Sequence, residues 1–522
     1  MLGLLTSVLV APLLGLLVLL AIPSSSPGRI RIWANLASLI SALLTLLPAL
    51  SFNNKQDFQF VEKLPWIPSL GASYHIGLDG ISLPLIIMTG FITFLAILSS
   101  WNVIEMRKKE YYGWFLFLQF AMTGVFLALD FLLFFVFWEM VLIPMYFIIA
   151  IWGGERRGYA SMKFLIYTVV GSVLMLVGGI LLHWRHFQAT GIRSWDLFDL
   201  MRTPLSASTE TWIFWALFAG FAVKVPMFPF HTWLPDAHTE APTAGSVVLA
   251  SILLKMGTYG FLRFSLPLVP NASRAPETVA LVAALSIIAI IYGALVCLMQ
   301  KDWKKLIAYS SVSHMGFVTL SIFALNQTGL TGSMLAQINH GISAGMLFLV
   351  IGVVYERRHT REISAYGGLW KPMPVFTFVV LIASLSSMGM PPLNGFIGEM
   401  TILQGVYPIS WNWAIACITG IVLGAAYLLW VFQRTMLGET SEKNSLLPDL
   451  TTREMLVFAP LILSAFAIGL WPRPLFEMLD RPCQKIVERV AQRQSAPIQA
   501  FSNQVAPAVA AAVALPEASK NK

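Results

Sequence analysis

The sequence predicts an all-α polytopic membrane protein of about fourteen transmembrane helices, and three observations predict it. Hydrophobic residues make up 57% of the 522 positions and charged residues only 11%, where a soluble protein carries about 25% charged residues. Apolar runs of about 20 residues, each long enough to cross a bilayer, recur along most of the length. The runs are continuous and not alternating, which selects helices over a barrel.

Composition also narrows function. The net charge of +8 does not point to nucleic acid, because the basic residues are spread over short loops, as membrane topology requires. The three cysteines, Cys297, Cys417 and Cys483, are far apart and form no CxxC pair, so they frame neither an iron–sulfur cluster nor a zinc site. There is no nucleotide-binding glycine motif. If the chain serves a redox or ATP-driven machine, the cofactors are expected elsewhere.

Taken in order, the spans fall at roughly 2–22, 30–52, 80–103, 112–129, 131–152, 161–184, 211–236, 243–266, 277–299, 304–325, 330–355, 373–408, 411–435 and 454–473. The first lacks a basic segment before it and reads as a membrane helix, not a cleaved signal. The fourth and fifth are separated only by a tight turn at Asp130. Between the second and third, FQFVE and YHIGL alternate around a Pro/Gly-rich turn and predict an external β-hairpin. After Pro482, QKIVERVAQRQ reads as a surface helix, and the Ala/Pro/Val-rich end through Lys522 is expected to be disordered.

Loop charge orients the bundle. One set of alternate loops carries Arg29 and Arg31, then Arg107, Lys108 and Lys109, then Arg156 and Arg157, then Lys301, Lys304 and Lys305, then Arg357, Arg358 and Arg361, and last Arg434 and Lys443. The opposite set is sparser. The first set is expected to be cytoplasmic, which places both termini on the periplasmic side.

Two spans look broken. Pro226 and Pro229 interrupt the seventh, and Gly389, Pro391, Pro392 and Gly395 the twelfth. Proline removes a backbone donor and frees a carbonyl, and such breaks at membrane depth are tolerated only inside protein or along a cavity. The breaks lie five spans apart, an odd offset that reverses orientation. This is the pattern of two inverted five-helix repeats, spans 4–8 and 9–13, and such paired breaks point to a transport site. The expected divisions are 1–110 (three helices and the external hairpin), 111–270 (first repeat), 271–436 (second repeat), 437–480 (C-terminal helix) and 481–522 (disordered tail).

Charged residues inside the spans are expensive and mark ion or proton pathways. Glu139 lies well inside the fifth span, and Lys224 stands just before the Pro226 break. A lysine whose carboxylate partner approaches and withdraws can be loaded and unloaded with a proton, which is the reason to want these two together. Lys255 lies mid-way along the eighth span. His231 and His238 are candidate intermediaries, and histidine titrates near neutrality. Glu399 follows the second break and reads as the inverted-repeat counterpart of the Lys224 region. His314 and His340, among serines and asparagine on the tenth and eleventh spans, lie between Lys255 and Glu399. Each histidine is as well suited to an interhelical hydrogen bond as to a relay. A line of alternating acid and base groups reads as a proton relay, without the like-charge rings of a channel.

Three stretches carry a resemblance: KVPMFPFHTWLPDAHTEAPTAGSVVLASILLKMGTYGFLRF, IAYSSVSHMGFV and GFIGEMTIL. They resemble the M-type branch of the antiporter-like subunits of bacterial proton-pumping NADH:quinone oxidoreductase, respiratory complex I. That family is shared with Mrp-type Na⁺/H⁺ antiporters. The resemblance covers spans 2 to 14. It implies fourteen helices in two inverted five-helix units, and a proton path of glutamate, broken-helix lysine, middle lysine and terminal acid or lysine. These fall on Glu139, Lys224, Lys255 and Glu399. Glutamate at 399 matches the M-type branch, where L-type, N-type and many antiporter relatives carry lysine. The long lateral helix of L-type subunits is missing. The resemblance further implies the inner (plasma) membrane as location and L-type and N-type subunits as neighbours. NADH, FMN, iron–sulfur clusters and quinone would belong to partner subunits. Two other readings stay open, an Mrp-type cation/proton antiporter subunit and a membrane subunit whose charges only hold helices together.

Overall fold

A computed structural model describes residues 3–492. Its first helices, α1 (Leu4–Ala21) and α2 (Pro27–Leu44), precede an antiparallel hairpin of β1 (Gln59–Ile67) and β2 (Ala72–Leu78). The predicted hairpin is thus present. Gly71 turns it at φ +72°, and an added Cβ would sit 2.1 Å from the Arg193 carbonyl oxygen, so only glycine fits. Glu62 of β1 reaches back to α1, where Oε1 accepts from the Leu5 and Thr6 amides at 2.8 and 3.2 Å. Those amides have no partner within the helix, and the carboxylate satisfies them.

The bundle continues with α3 (Ser82–Ser99), α4 (Lys108–Leu127), α5 (Phe131–Met140) and its continuation α6 (Leu142–Trp152), α7 (Arg157–Thr190) and α8 (Ala207–Lys224). A short helix α9 (Trp233–Glu240) follows the first break. The eighth span then runs through α10 (Thr243–Val248), a π-helical turn at Leu249–Leu253, α11 (Leu254–Gly260) and a second π-helical turn at Phe261–Ser265. The second half comprises α12 (Pro276–Leu298), α13 (Trp303–Ile322), α14 (Gln327–Arg358), α15 (Pro374–Ser387), α16 (Asn394–Val406), α17 (Trp411–Met436), α18 (Thr452–Leu470) and α19 (Arg473–Ala491).

Among the described residues, ten helices are long and apolar enough to cross a membrane. The other four stretches read as spans are helical but short or polar. α4 opens on Lys108, Lys109 and Glu110, and α13 on two lysines. α8 stops at its break, and α15 and α16 are the two pieces of a broken span. Both breaks carry a cis X–Pro bond, Phe228–Pro229 and Pro391–Pro392.

Packing sorts the helices by polarity. The eighth span is wholly buried over its most apolar stretch and α14 nearly so, whereas only a third or less of α1 and α18 is buried. Of the six exposed tryptophans among the described residues, Trp184, Trp212, Trp411 and Trp471 lie near helix ends on the face away from the basic loops, as expected of a membrane interface.

The C-terminal helix corrects one expectation. A division at 480 with a disordered tail from 481 does not fit, because α19 runs from Arg473 to Ala491 through Pro482. Its buried residues Leu479, Cys483, Ile486 and Val490 repeat every three or four positions, so one apolar stripe docks it on the bundle. The rest of the expected tail, 493–522, lies outside the described residues.

Candidate functional site

Glu139 and Lys224 feel each other's charge inside the bundle without forming a salt bridge among the described residues. Glu139 is the penultimate residue of α5, where the chain kinks into α6. Lys224 ends α8 and is only 1% exposed. Neither Glu139 Oε1 nor Lys224 Nζ has a hydrogen-bond partner. The ammonium lies over the rings of Trp138, at 5.1 Å, and Phe164, at 6.0 Å. Trp138 therefore holds the cation beside the carboxylate by a cation–π contact. The break supports this arrangement, as Trp233 Nε1 donates to the Val223 carbonyl at 2.9 Å and takes up an acceptor next to Lys224.

Lys255 occupies the centre. It is fully buried on α11, between the two π-helical turns. Its ammonium donates to the Ala250 carbonyl at 2.6 Å and to His340 Nδ1 at 2.7 Å. The wide turn just before it is what sequence reasoning missed, since the run reads as an ordinary helix. Such π-bulges recur at functional sites. Close packing places the lysine, because an added Cβ at Gly257 would sit 2.8 Å from the Phe221 carbonyl oxygen and one at Gly260 2.3 Å from the Phe221 ring.

From Lys255 the line continues into the second repeat. The His340 and His314 rings are 5.6 Å apart between centroids. His314, His340, Asn339, Ser387 and Glu399 line one cavity of about 30 Å³, the volume of about one water molecule. His314 Nε2 lies 3.5 Å from Ser387 Oγ and from Tyr427 OH. The Glu399 carboxylate packs on Gly389, whose φ is +71°. Asn339 Nδ2 donates to the Asn394 carbonyl at 2.7 Å, and Ser386 Oγ to Asn394 Oδ1 at 2.6 Å, which ties the second break to α14.

Lys224 closes the half-helix before its break while Glu399 lies on α16, after its own, as their places in the sequence require. The breaks correspond; the charges sit on opposite sides of them. His231 and His238 also differ from each other. His231 stacks on Phe228 and faces the Tyr292 and Tyr309 rings, away from both relay lysines, with Nδ1 unpartnered. His238 is fully buried, stacked on Phe348 at 4.5 Å, with neither ring nitrogen partnered, and it feels the charges of both Lys304 and Lys255.

Further charged groups went unread in the sequence because their partners are remote. Lys304 Nζ donates to the Ala241 carbonyl at 2.5 Å, and Lys163 pairs with Asp236 at 2.7 Å. Arg361 Nη1 donates to the Thr239 carbonyl at 2.5 Å and Nε pairs with Asp302 at 3.2 Å. A cavity of about 370 Å³ opens on this basic-loop face, lined by Glu105, Glu240, Lys304, Glu356 and Arg361. On the other face Asp196 accepts from Lys63 at 2.6 Å and lies 2.7 Å from His75 Nδ1. Burial raises its carboxyl, but these two bonds outweigh that and hold it at about 2. Among the described residues no group of three or more His, Cys, Asp or Glu could hold a metal ion, and the three cysteines are free and buried.

Comparison with known proteins follows this geometry. Residues 128–424 match the transmembrane family described as NADH:quinone oxidoreductase/Mrp antiporter, and residues 12–129 match the amino terminus of NADH-ubiquinone oxidoreductase chain 4. NADH-quinone oxidoreductase subunit M of Rhodobacter capsulatus is 44% identical over 87% of this chain and 89% of its own. NADH-ubiquinone oxidoreductase chain 4 of Marchantia polymorpha is 42% identical over 93% and 97%. A chain of respiratory complex I from Thermus thermophilus superposes with a TM-score of 0.85 at 31% identity, covering 94% of this chain and 100% of that one. A chain of the Mrp complex from Dietzia has the same fold, with a TM-score of 0.76 at 22% identity over 96% of this chain and 59% of its own.

Proposed function

Because the chain belongs to the subunit M (chain 4) family of NADH-quinone oxidoreductases, we propose that it is a proton-translocating membrane subunit of such an enzyme. It carries no redox centre in this reading. NADH, FMN, iron–sulfur clusters and quinone are handled by partner subunits, with L-type and N-type subunits as neighbours. The basic-loop face is cytoplasmic, both termini face the periplasm, and the membrane is the bacterial inner membrane. Residues 111–270 and 271–436 act as the two repeats, with 1–110 before them and the helices α18 and α19 after them.

The single observation that carries the reading is the buried line Lys255–His340–His314–Glu399, which continues a lysine of one repeat into an acid of the other. Quinone reduction elsewhere in the enzyme changes the charge at one end. Glu139 then approaches or leaves Lys224, whose ammonium rests on Trp138 with no partner of its own. The proton released moves to Lys255, passes to His340 and His314, and reaches Glu399. His238, unpartnered between Lys304 and Lys255, suits loading of Lys255 from the cytoplasmic cavity. His231 is left to packing.

The test is Lys224→Ala or Glu139→Gln in the assembled enzyme, reconstituted in liposomes, with protons moved per NADH oxidised as the readout. A parental ratio in both variants overturns the assignment. The Mrp-type reading uses the same relay without an electron donor; it is favoured if the chain purifies without flavin and iron–sulfur subunits.

A further inference from the structure

The external half of the eighth span carries a second charged group, which the relay does not use. Arg263 sits in the second π-helical turn, two turns beyond Lys255, and is 5% exposed. Its Nη2 donates to Asp79 Oδ1 at 2.5 Å, and its Nε to the Tyr259 hydroxyl at 3.1 Å. Asp79 precedes α3 and also accepts from the Ile81 and Ser82 amides at 3.1 and 3.0 Å. Ser82 Oγ lies 3.3 Å from Arg263 Nη2 and 3.4 Å from the Tyr259 hydroxyl. Arg263, Asp79, Tyr259 and Ser82 thus form one connected polar cluster inside the bundle.

The cluster has an opening to the outside. Arg263 and Asp79 form the floor of a cavity of about 370 Å³ on the face opposite the basic loops. The amphipathic α19 roofs it. Arg481 Nε pairs with Asp57 at 2.6 Å, Lys485 pairs with the same carboxylate, and Arg489 Nε donates to the Pro267 carbonyl at 3.2 Å. The cluster also has an inner side. Tyr259 lies four residues after Lys255 on α11, so the two share a helix face. Thr258 beside it donates to Gln337 Oε1 at 2.5 Å, and Gln337 stands three residues before His340, the partner of Lys255. All of these side chains are fully buried or nearly so.

We propose that Arg263 and Asp79 form a gated outward branch of the relay, leading from Lys255 to the external cavity under α19. The proposal rests on the proton-relay reading above. In it, a proton leaves the Lys255 ammonium and crosses by water along the helix face that carries Tyr259, whose hydroxyl donates to the Phe126 carbonyl at 3.0 Å and turns from it to pass the proton on. The Asp79 carboxylate takes it up and gives it to cavity water. Arg263 keeps its own proton throughout, as a guanidinium does, and its charge repels protons approaching from outside, as fixed arginines do in other pores. When Asp79 is protonated the ion pair is released. The guanidinium then has a second resting place over the Phe58 ring, whose centroid is 4.8 Å from Arg263 Cζ. Re-pairing closes the branch. A pair whose only role was to pin α3 would not need the cavity on its outer side.

The experiment uses the whole enzyme in liposomes with an imposed pH gradient and no NADH. Arg263→Gln is expected to raise the passive proton leak several-fold, and adding Lys255→Met is expected to return it to the parental level. A leak that stays parental in Arg263→Gln, or that persists with Lys255→Met, overturns the proposal. Tyr259→Phe removes one hydroxyl and leaves the ion pair in place, which covers the case of Arg263→Gln failing to assemble. It is expected to lower protons moved per NADH by this subunit's share, and a parental ratio counts against the branch. Lys255→Met alone separates the two levels. If it leaves pumping intact, the relay reading fails; if it abolishes pumping while Arg263→Gln does not leak, only the branch fails.

Discussion

Gly389→Ala displaces the terminal carboxylate of the relay without altering its chemistry. The glycine has φ +71°, and a Cβ there would lie 2.0 Å from Glu399 Oε2 and 2.8 Å from its Cδ. Ordinary contact begins at 3.4 Å, so the carboxylate has to withdraw by more than an ångström. The left-handed backbone adds a cost of about 1–2 kcal/mol for alanine, small enough for the helix to persist. A misplacement of about 1 Å in a reacting group is worth up to about 100-fold in rate. We therefore expect the enzyme to assemble, to reduce an artificial acceptor at the parental rate, and to lose most of this subunit's share of the protons moved per NADH in liposomes. Gly438→Ala is the control. Its φ is +89° with nothing within 4 Å of the added Cβ, so it carries a similar backbone cost and displaces nothing. If the two variants pump equally well, the placement of Glu399 does not matter and the reasoning is refuted.

Other expectations are more local. His340→Ala removes the one side-chain partner that the Lys255 ammonium has among the described residues, and should remove most of this subunit's share of the protons moved per NADH, while His231→Ala, against aromatic rings, leaves it near parental in the same assay. Trp138→Leu takes away the ring over which Lys224 rests at 5.1 Å; loss of a desolvated cation–π contact of about 2 kcal/mol should shift the pH profile of pumping, and an unchanged profile counts against a positioning role. Arg357→Gln leaves Glu454, 9% exposed and bonded at 2.9 and 2.8 Å, without its bidentate partner, which should cost about 3–5 kcal/mol and lower the midpoint of thermal dissociation of the subunit. Asp196 is held at about 2 against an ordinary 3.8; because the folded value is depressed, its contribution of about 2 kcal/mol is full above pH 4 and is lost as pH falls toward 2, so hydrogen exchange in the hairpin should accelerate over that interval, and an equal loss in Asp196→Asn at neutral pH would match it.

The legible part of the molecule was whatever is written locally. The hairpin follows from the alternation of FQFVE and YHIGL, and the breaks from Pro226, Pro229, Pro391 and Pro392. Lys224, Lys255 and Glu399 stood out as charges within apolar runs. Arg263 carries the same signal in the same stretch, but its partner Asp79 is 184 residues away, and a distant partner leaves no trace in one sequence. The π-helical turns around Lys255 were illegible for another reason. They change the hydrogen-bond register by one residue without any proline or glycine run to mark it, and tertiary packing decides them. That Lys224 stands before its break and Glu399 after its own was legible too, because sequence order relative to Pro226 and Pro391 says which half-helix bears the charge.

The two ends of the line are built differently, and the difference assigns them different work. Lys255 is bonded on both sides, to a backbone carbonyl and to His340. A group so held fixes the geometry of transfer and has little freedom to move. Lys224 Nζ and Glu139 Oε1 have no hydrogen-bond partner among the described residues, with Ser172 beside the Glu139 carboxylate, whereas most buried polar atoms in proteins have one. Here they sit where α8 ends and where α5 gives way to α6, places at which backbone can shift without breaking a continuous helix. An arrangement with a low-cost alternative at one end and a locked group in the middle responds to a charge arriving near Glu139, and passes the result on through a fixed centre. In the proposed relay the energy for movement enters at the first repeat, and the second repeat, with Glu399 set against Gly389, receives it.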